Sequence, residues 1–452
     1  MSRIDKIFWD TLRGPRQWIS SWFAAYALVG AVSSGLIPIL LPLMMVELLP
    51  HELAAVGYVM GAFNLGALSS PLWGNLADEK KAYRLVFCGG LLLELAAMSV
   101  FPLAANLGAW LGLALLMGAG SAAVSTCATL LIVDFYPHKE WTSRIGWLQT
   151  FNGGGQVIGL LLAGAFAAIG YRFGLWMGAG LLGAAVVAGL ILLPRASKAE
   201  SSIRELSRAG LGLDFEALSR FARVELIGGG LLKHFHLVNI AGLKNIPKLL
   251  PTRFGRFLMS WFFVFLGVSG FFAYFPIFLK QSFGVLPATT SLTYALAAGI
   301  GIALYNLSGV WAQKLGAQKI YFYGRILRLS GFILLLLPLL LRHIPGDNII
   351  ALVGFAVVVL AWPVLSVTGT ELTSELSPIS QGAAQGLNNA ANGVGTVAGT
   401  YMAGWLVHVV GYDCIPIMAL VGLALSIVTD TSFHQTKQPI ADSGLGQQAA
   451  VS

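Results

Sequence analysis

One acid lies where acids are expensive. Glu94 sits in the run Leu91-Leu92-Leu93-Glu94-Leu95, near the middle of an apolar segment. A carboxyl in such a setting must be protonated or paired. The chemistry it offers is proton coupling. The plainer alternative is a neutral acid hydrogen-bonded to a neighbouring helix, for instance near Asn64. Other chemistries lack their residues: no His-rich metal spacing, serine elbow or clustered acid pair occurs. An enzyme is therefore not expected, nor a metal or other cofactor. Cys88, Cys127 and Cys414 stand at unrelated spacings within or beside apolar runs, which supports neither a disulfide framework nor a metal cluster. Gly228-Gly229-Gly230 lacks the lysine-serine of a phosphate loop.

The elements that must position Glu94 are membrane spans. The chain has 452 residues, 56% hydrophobic and 11% charged, with a mean hydropathy of +0.76. A soluble domain carries about 25% charged residues. Apolar runs of about 20 residues, each long enough to cross a bilayer core of about 30 Å, fall near 18–45, 52–76, 84–105, 107–134, 144–169, 173–194, 257–283, 288–312, 320–341, 348–372, 380–409 and 413–430. The fold class is an all-α membrane protein with twelve transmembrane helices. A cytosolic enzyme, a disordered chain and a secreted disulfide scaffold are excluded. The first run has a basic flank but is too long for a signal peptide, and no small-residue cleavage site follows it.

With the loops numbered alternately, 25 of the 28 Lys and Arg residues fall on one side. That tally treats Arg84, Arg144, Arg325 and Arg328 as first-turn residues of their helices. The other side holds Arg172, Lys280 and Arg342. Such a skew is the positive-inside rule, so both termini and the loop 195–256 are expected in the cytoplasm. The net charge of +8 marks topology, and nucleic acid is not an expected partner. Within that loop, 211–221 alternates apolar and charged residues; it reads as an amphipathic helix on the anionic inner leaflet or as a tether.

Six spans, a loop and six more spans suggest two halves, and the sequence repeats between them. Asn152-Gly153-x-Gly155-x-Val157-x-Gly159-x-x-x-Ala163-Gly164 returns as Asn392-Gly393-x-Gly395-x-Val397-x-Gly399-x-x-x-Ala403-Gly404. Gly170-Tyr171 matches Gly411-Tyr412, Asp134-x-x-Pro137 matches Glu375-x-x-Pro378, and Gly74-x-x-Ala77 matches Gly309-x-x-Ala312. All recur at nearly one offset. The organisation read from this is a six-helix half at 1–194, a basic linker at 195–256, a second half at 257–430 and a cytoplasmic tail at 431–452, the two halves being pseudo-symmetric bundles.

Parallel six-helix repeats joined by a long loop are how the major facilitator superfamily is built. The segment Ser69-Ser70-Pro71-Leu72-Trp73-Gly74-Asn75-Leu76-Ala77-Asp78 resembles its signature between spans 2 and 3, in the form of the twelve-helix drug:proton antiporters. Gly74, Leu76, Ala77 and Asp78 match, as do Gly309, Ala312, Lys314, Gly316 and Lys319 in the second half; Glu79, Lys81 and Gln313 depart. The span 5 antiporter motif is absent, with Gln156 where glycine-proline is usual, and span 4 carries no arginine.

The resemblance implies a cytoplasmic gate. Asp78 would accept backbone N–H groups at a facing helix end, with Gly74 and Gly309 allowing close approach between halves. Arg84, Asp134, Arg144, Lys314, Lys319 and Glu375 would supply gate charges. The pairs Gly155/Gly159 and Gly395/Gly399 read as packing between halves. If the family architecture holds, spans 1, 4, 7 and 10 line a central cavity with help from 2, 5, 8 and 11. Tyr26, Ser33, Ser125, Gln156, Tyr274, Trp362, Asn392 and Thr396 are then candidate cavity residues. No Arg or Lys falls at mid-depth in those spans, which disfavours strongly anionic substrates. The expected function is alternating-access transport of a small amphipathic organic solute, as proton-coupled export. An importer of a metabolite or siderophore-like chelate is the alternative, and a membrane receptor without transport the reading from another class. The expected setting is a bacterial cytoplasmic membrane, as a monomer, with solute, protons and lipid as partners.

Overall fold

The computed structural model describes residues 18–80, 82–137, 140–194, 251–341, 345–379 and 381–430. The loop up to residue 250, with the amphipathic stretch 211–221, and the tail 431–452 lie outside them. The described residues form helices and no strand. They are α1 (Phe23–Leu48), α2 (Ala54–Ala67, then Ser70–Lys80), α3 (Tyr83–Val100), α4 (Leu107–Phe135), α5 (Trp141–Ile169) and α6 (Tyr171–Leu192). After the loop come α7 (Arg253–Phe283), α8 (Pro287–Leu315), α9 (Ala317–Leu340), α10 (Asp347–Leu376), α11 (Gln381–Val410) and α12 (Cys414–Asp430). Ten are long and apolar enough to cross a membrane. The other two are α2, which is broken at Leu68-Ser69, and α12, which has 17 residues. The twelve-helix fold expected from the sequence is the one observed.

Local chemistry sets the helix ends. Asn106 caps α4 by accepting from the Ala109 N–H at 2.8 Å, and Thr252 caps α7 by accepting from the Gly255 N–H at 3.1 Å. Gly170 and Gly411, the repeat-related glycines, end α5 and α11 with φ of 148° and 94°, a region that side chains with a Cβ avoid. In α1 the turn Gly30–Leu36 is π-helical. Pro38 follows it and has no N–H to give the Ser34 carbonyl, which Gln156 of α5 meets instead through its Nε2 at 3.4 Å.

Each half has its own packing: α3 lies on α4 and α6, α9 on α10, and α7 on α11 and α12. The halves meet chiefly along α2–α11 and α5–α8, with smaller contacts of α7 on α1 and α2. Large apolar side chains such as Leu103, Ile169, Ile191, Leu340 and Val428 are exposed on the outside, as a lipid-facing surface requires.

The repeated glycines do not do what their spacing predicted. A Cβ on Gly155 or Gly159 would strike the carbonyls of Ala27 and Ala31 on α1, within the same half. Likewise Gly395 faces Phe262 and Phe265, and Gly399 faces Leu266 and Ser269, all on α7. These four glycines seat α5 on α1 and α11 on α7; they are not packing between halves. The outer glycines of the same motif cross over. Gly153 faces Ile302 and Gly164 faces Ala288 and Ser291 on α8, while Gly393 faces Leu68 and Gly404 faces Ala54 and Tyr58 on α2. Residues 153 and 164 are eleven apart, about three helical turns, so they share a face that 155 and 159 do not. The motif is one strip with two functions, repeated in each half.

Candidate functional site: a cavity between the halves

Between the halves lies a cavity of about 880 Å³. Its walls come from α1 (Ser33, Ser34), α2 (Asn64), α5 (Asn152, Gln156), α7 (Phe265, Ser269, Phe272), α8 (Tyr294, Tyr305), α10 (Trp362, Ser366) and α11 (Thr396). The lining is at mid-depth on most helices. Along α5 and α8 it extends toward the end of the bundle where the central loop attaches, through Gly146, Gln149 and the exposed Asn306. We call this the linker end.

The far end is closed. Tyr274 of α7 accepts from the Gly57 N–H at 2.9 Å and donates to the Leu53 carbonyl at 2.8 Å. Its hydroxyl thus ties α7 to two backbone groups in the first turn of α2. Tyr58 of α2 lies against Tyr401 of α11, with ring centroids 5.8 Å apart. A methyl on Gly57 would come within 2.7 Å of the Gly404 Cα. Replacing Tyr274 by phenylalanine removes both bonds, at a cost of about 1–3 kcal/mol. That cost falls on the closed far end alone. We expect such a variant to admit a membrane-impermeant thiol reagent from that end to Thr396→Cys several-fold faster than the parent.

Four of the eight cavity candidates line it: Ser33, Gln156, Trp362 and Thr396. The others lie elsewhere. Tyr274 is 21 residues into α7, about 32 Å along it, and seals the far end. Tyr26 is buried in the apolar packing of the first half. Ser125 donates to the Ala122 carbonyl of its own helix at 3.2 Å, and α4 lends no side chain to the wall. Asn392 sits behind Thr396, accepting its hydroxyl at 3.2 Å.

Glu94 is fully buried. Ser33 Oγ donates to its Oε1 at 2.5 Å, and Oε2 has no partner. Asn64, the partner considered from sequence, instead meets Thr400 of the other half at 3.4 Å. Gly90 and Gly120 allow α3 and α4 to approach closely at this level. The carboxyl on peripheral α3 therefore touches the cavity wall through one hydroxyl.

Two arginines were missed. Arg325 and Arg328 stand 8 and 11 residues into α9, about 12 and 16 Å from its start, not in its first turn. Each is 2% exposed. Arg325 pairs with Asp430 at the end of α12 and donates to Ser260 Oγ and the Ser426 carbonyl, each at 3.0 Å. Arg328 lines the cavity. Its guanidinium lies 5.6 Å from the ring centroids of both Phe272 and Trp362, and its Nε has no partner. The expectation of an uncharged cavity is thus corrected. The sequence carries the signal, two arginines three apart inside an apolar run, but the rule that charges belong at helix ends points the other way.

The gate candidates are apart in this conformation. Gly74 has only Thr126 of its own half near it, at 3.5 Å, and Gly309 has nothing within 4 Å. The side chain of Asp78 lies outside the described residues. Asp134, Glu375, Lys314 and Lys319 are exposed, and no ion pair joins Asp134 to Arg144. Arg144 pairs with Glu140 at 2.9 Å and lies 3.7 Å over the Tyr136 ring. Arg84 donates to the Leu190 carbonyl of α6.

Twelve helices in two repeated halves around a central cavity are the build of a secondary transporter. The Major Facilitator Superfamily model matches residues 22–378, and the chain belongs to that family. Two uncharacterised MFS-type transporters of Mycobacterium tuberculosis, strains CDC 1551 / Oshkosh and H37Rv, are 25% identical over 372 residues, which is 80% of this chain and 79% of theirs. Among solved structures, a mutant of the nucleoside transporter NupG aligns with a TM-score of 0.68 at 15% identity, over 92% of this chain and 97% of its own. A bacterial homologue of the iron transporter ferroportin, in an inward-facing state, aligns at 0.65 with 13% identity, over 92% and 98%. The D-xylose-proton symporter aligns at 0.62 with 16% identity, over 93% and 97%. These likenesses show the fold.

Proposed function

We propose that this chain carries a small amphipathic organic solute across the membrane by alternating access, coupled to protons. The observation that carries the reading is the cavity at the junction of the halves, closed at the far end where Tyr274 of α7 binds the start of α2 and lined with exposed residues toward the linker end. The positive-inside rule makes the linker end cytoplasmic, so the conformation described is inward-open. In the outward-open state the cytoplasmic ends close, and the Gly74–Asp78 segment meets the second half. Export is the direction we propose, on the resemblance of Ser69–Asp78 to the drug:proton antiporters.

Glu94 is the coupling group in this reading. A proton arriving at or leaving the carboxyl changes the hydrogen bond with Ser33, which is part of the cavity wall and of the π-helical turn of α1. Local departures of this kind in a helix often mark functional positions.

The test uses the full chain in oriented vesicles. A membrane-impermeant maleimide should label Asn306→Cys and Thr396→Cys from the cytoplasmic side; the three native cysteines are buried. Labelling of Thr396→Cys from neither side would sink alternating access. Coupling is read in everted vesicles as proton flux dependent on a fluorescent amphipathic dye. Glu94→Gln should abolish that flux while dye binding persists. Unchanged flux in this variant would remove Glu94 from the mechanism.

A further inference from the structure

We propose that Arg328 anchors a carboxylate on the transported solute, so that the cargo is an aromatic or amphipathic organic anion. This rests on the transport reading above and names the substrate class of the same cavity. A guanidinium withdrawn from water is costly unless an anion and hydrogen-bond acceptors replace its hydration. Arg325, one turn away, has both in Asp430 and the Ser426 carbonyl. Arg328 is equally buried and has neither: among the described residues no carboxylate pairs with it, Nε is without an acceptor, and Glu94 is engaged by Ser33. What surrounds it is aromatic. Phe272 of α7 and Trp362 of α10 flank the guanidinium, and Tyr294 and Tyr305 complete that wall. The rings attract the guanidinium by cation–π contact, and its Nε–H is left without an acceptor beside the cavity. The fork of donors matches a carboxylate bidentately. The volume of about 880 Å³ lies in the range of pockets that enclose drug-sized ligands. The pattern is an incomplete ion pair in a space the size of an organic molecule, with the missing half brought by the cargo.

The test is a matched pair of probes, 2-naphthylacetate and 2-naphthylacetamide, measured by equilibrium dialysis against the purified full chain in detergent. The two differ in charge and little else. We expect the carboxylate to bind at least tenfold more tightly than the amide. Arg328→Met, which removes an unpaired buried charge and keeps an unbranched side chain, should abolish the preference. Arg328→Lys should retain part of it, since the charge remains and the fork is lost. Chloride and inorganic phosphate at tens of millimolar should compete weakly. Equal binding of the two probes, binding of neither, or a preference that survives in Arg328→Met overturns the proposal. Displacement by chloride as complete as that by the carboxylate also overturns it, because the site would then take a simple anion. Failure of the transport reading looks different: thiol labelling from the two membrane faces would not alternate, whatever the probes do.

Discussion

Replacing Arg325 with methionine is expected to destabilise the fold by about 3–5 kcal/mol, the usual effect of removing one partner from a buried ion pair. The guanidinium joins three helices of the second half. It pairs with Asp430 on α12, donates to Ser260 Oγ on α7 and the Ser426 carbonyl on α12, and lies 4.4 Å over the Tyr321 ring of its own helix α9. Ser260 and Ser426 also share a hydrogen bond of 2.8 Å. Without the arginine, Asp430, which is 6% exposed, loses the guanidinium that pairs with it. This network ties the last described turn of α12 to α7 and α9, so it matters to the docking of that helix. The measurement is the thermal midpoint in detergent, followed through the buried cysteines with a thiol-reactive dye. Asp430→Leu should be destabilising alone and should recover most of the loss when combined with Arg325→Met, because the double variant leaves no orphaned charge. A single Arg325→Met chain as stable as the parent would show that the network contributes nothing.

The two arginines of α9 also show where sequence reading stops. Span number, halves and repeat were legible because each rests on periodicity or on composition over some 20 residues. The assignment of Arg325 and Arg328 to a helix end rested on the rule that charges avoid the bilayer. That rule fails where a protein supplies its own solvent: an ion-pair network for one arginine, and an aromatic-walled cavity for the other. Neither arrangement exists until α7, α9, α10 and α12 are packed. Glu94 was legible because no basic or polar neighbour masks it in sequence, yet its partner was not. Ser33 is 61 residues away, and only the crossing of α1 and α3 brings them together. The cavity candidates divided by depth. Ser33, Gln156, Trp362 and Thr396 line the cavity, whereas Tyr274 lies outside it because a 31-residue helix overshoots the bilayer core and carries its far quarter beyond mid-depth. Gate residues were harder still. In this structure, open at the linker end, Gly74 and Gly309 have no close neighbour across the halves, so nothing in it marks a gate.

The glycine strip of α5 and α11, with Gly57 of α2 packed against it, makes the last prediction, because substitutions of equal size should have different consequences at the contacts within a half and between halves. Gly155→Ala and Gly159→Ala each drive a methyl into a backbone carbonyl of α1. Carbonyls cannot rotate aside as a side chain would, so α5 must move off α1. That loss sits at the upper end of the about 1–3 kcal/mol typical of overpacking, and it should appear as a lowered thermal midpoint in detergent. Gly154→Ala is the control: nothing lies within 4 Å of its Cβ position, and alanine is the better helix former by about 1 kcal/mol. It should be neutral or slightly stabilising. The crossing face behaves differently. A Cβ on Gly57 would meet the Gly404 Cα at 2.7 Å and the Thr400 carbonyl at 2.8 Å, both on the other half. Gly57→Ala therefore strains only the closed far end and leaves the packing of each half intact. A chain relieves that strain by opening there. The thermal midpoint should move little, while Thr396→Cys gains labelling from the far side and loses it from the linker side. The two readouts must separate. Gly57→Ala lowering the midpoint as much as Gly155→Ala, with no change in labelling, would mean that the α2–α11 contact is static packing, and the far-end closure would lose its place in the transport cycle.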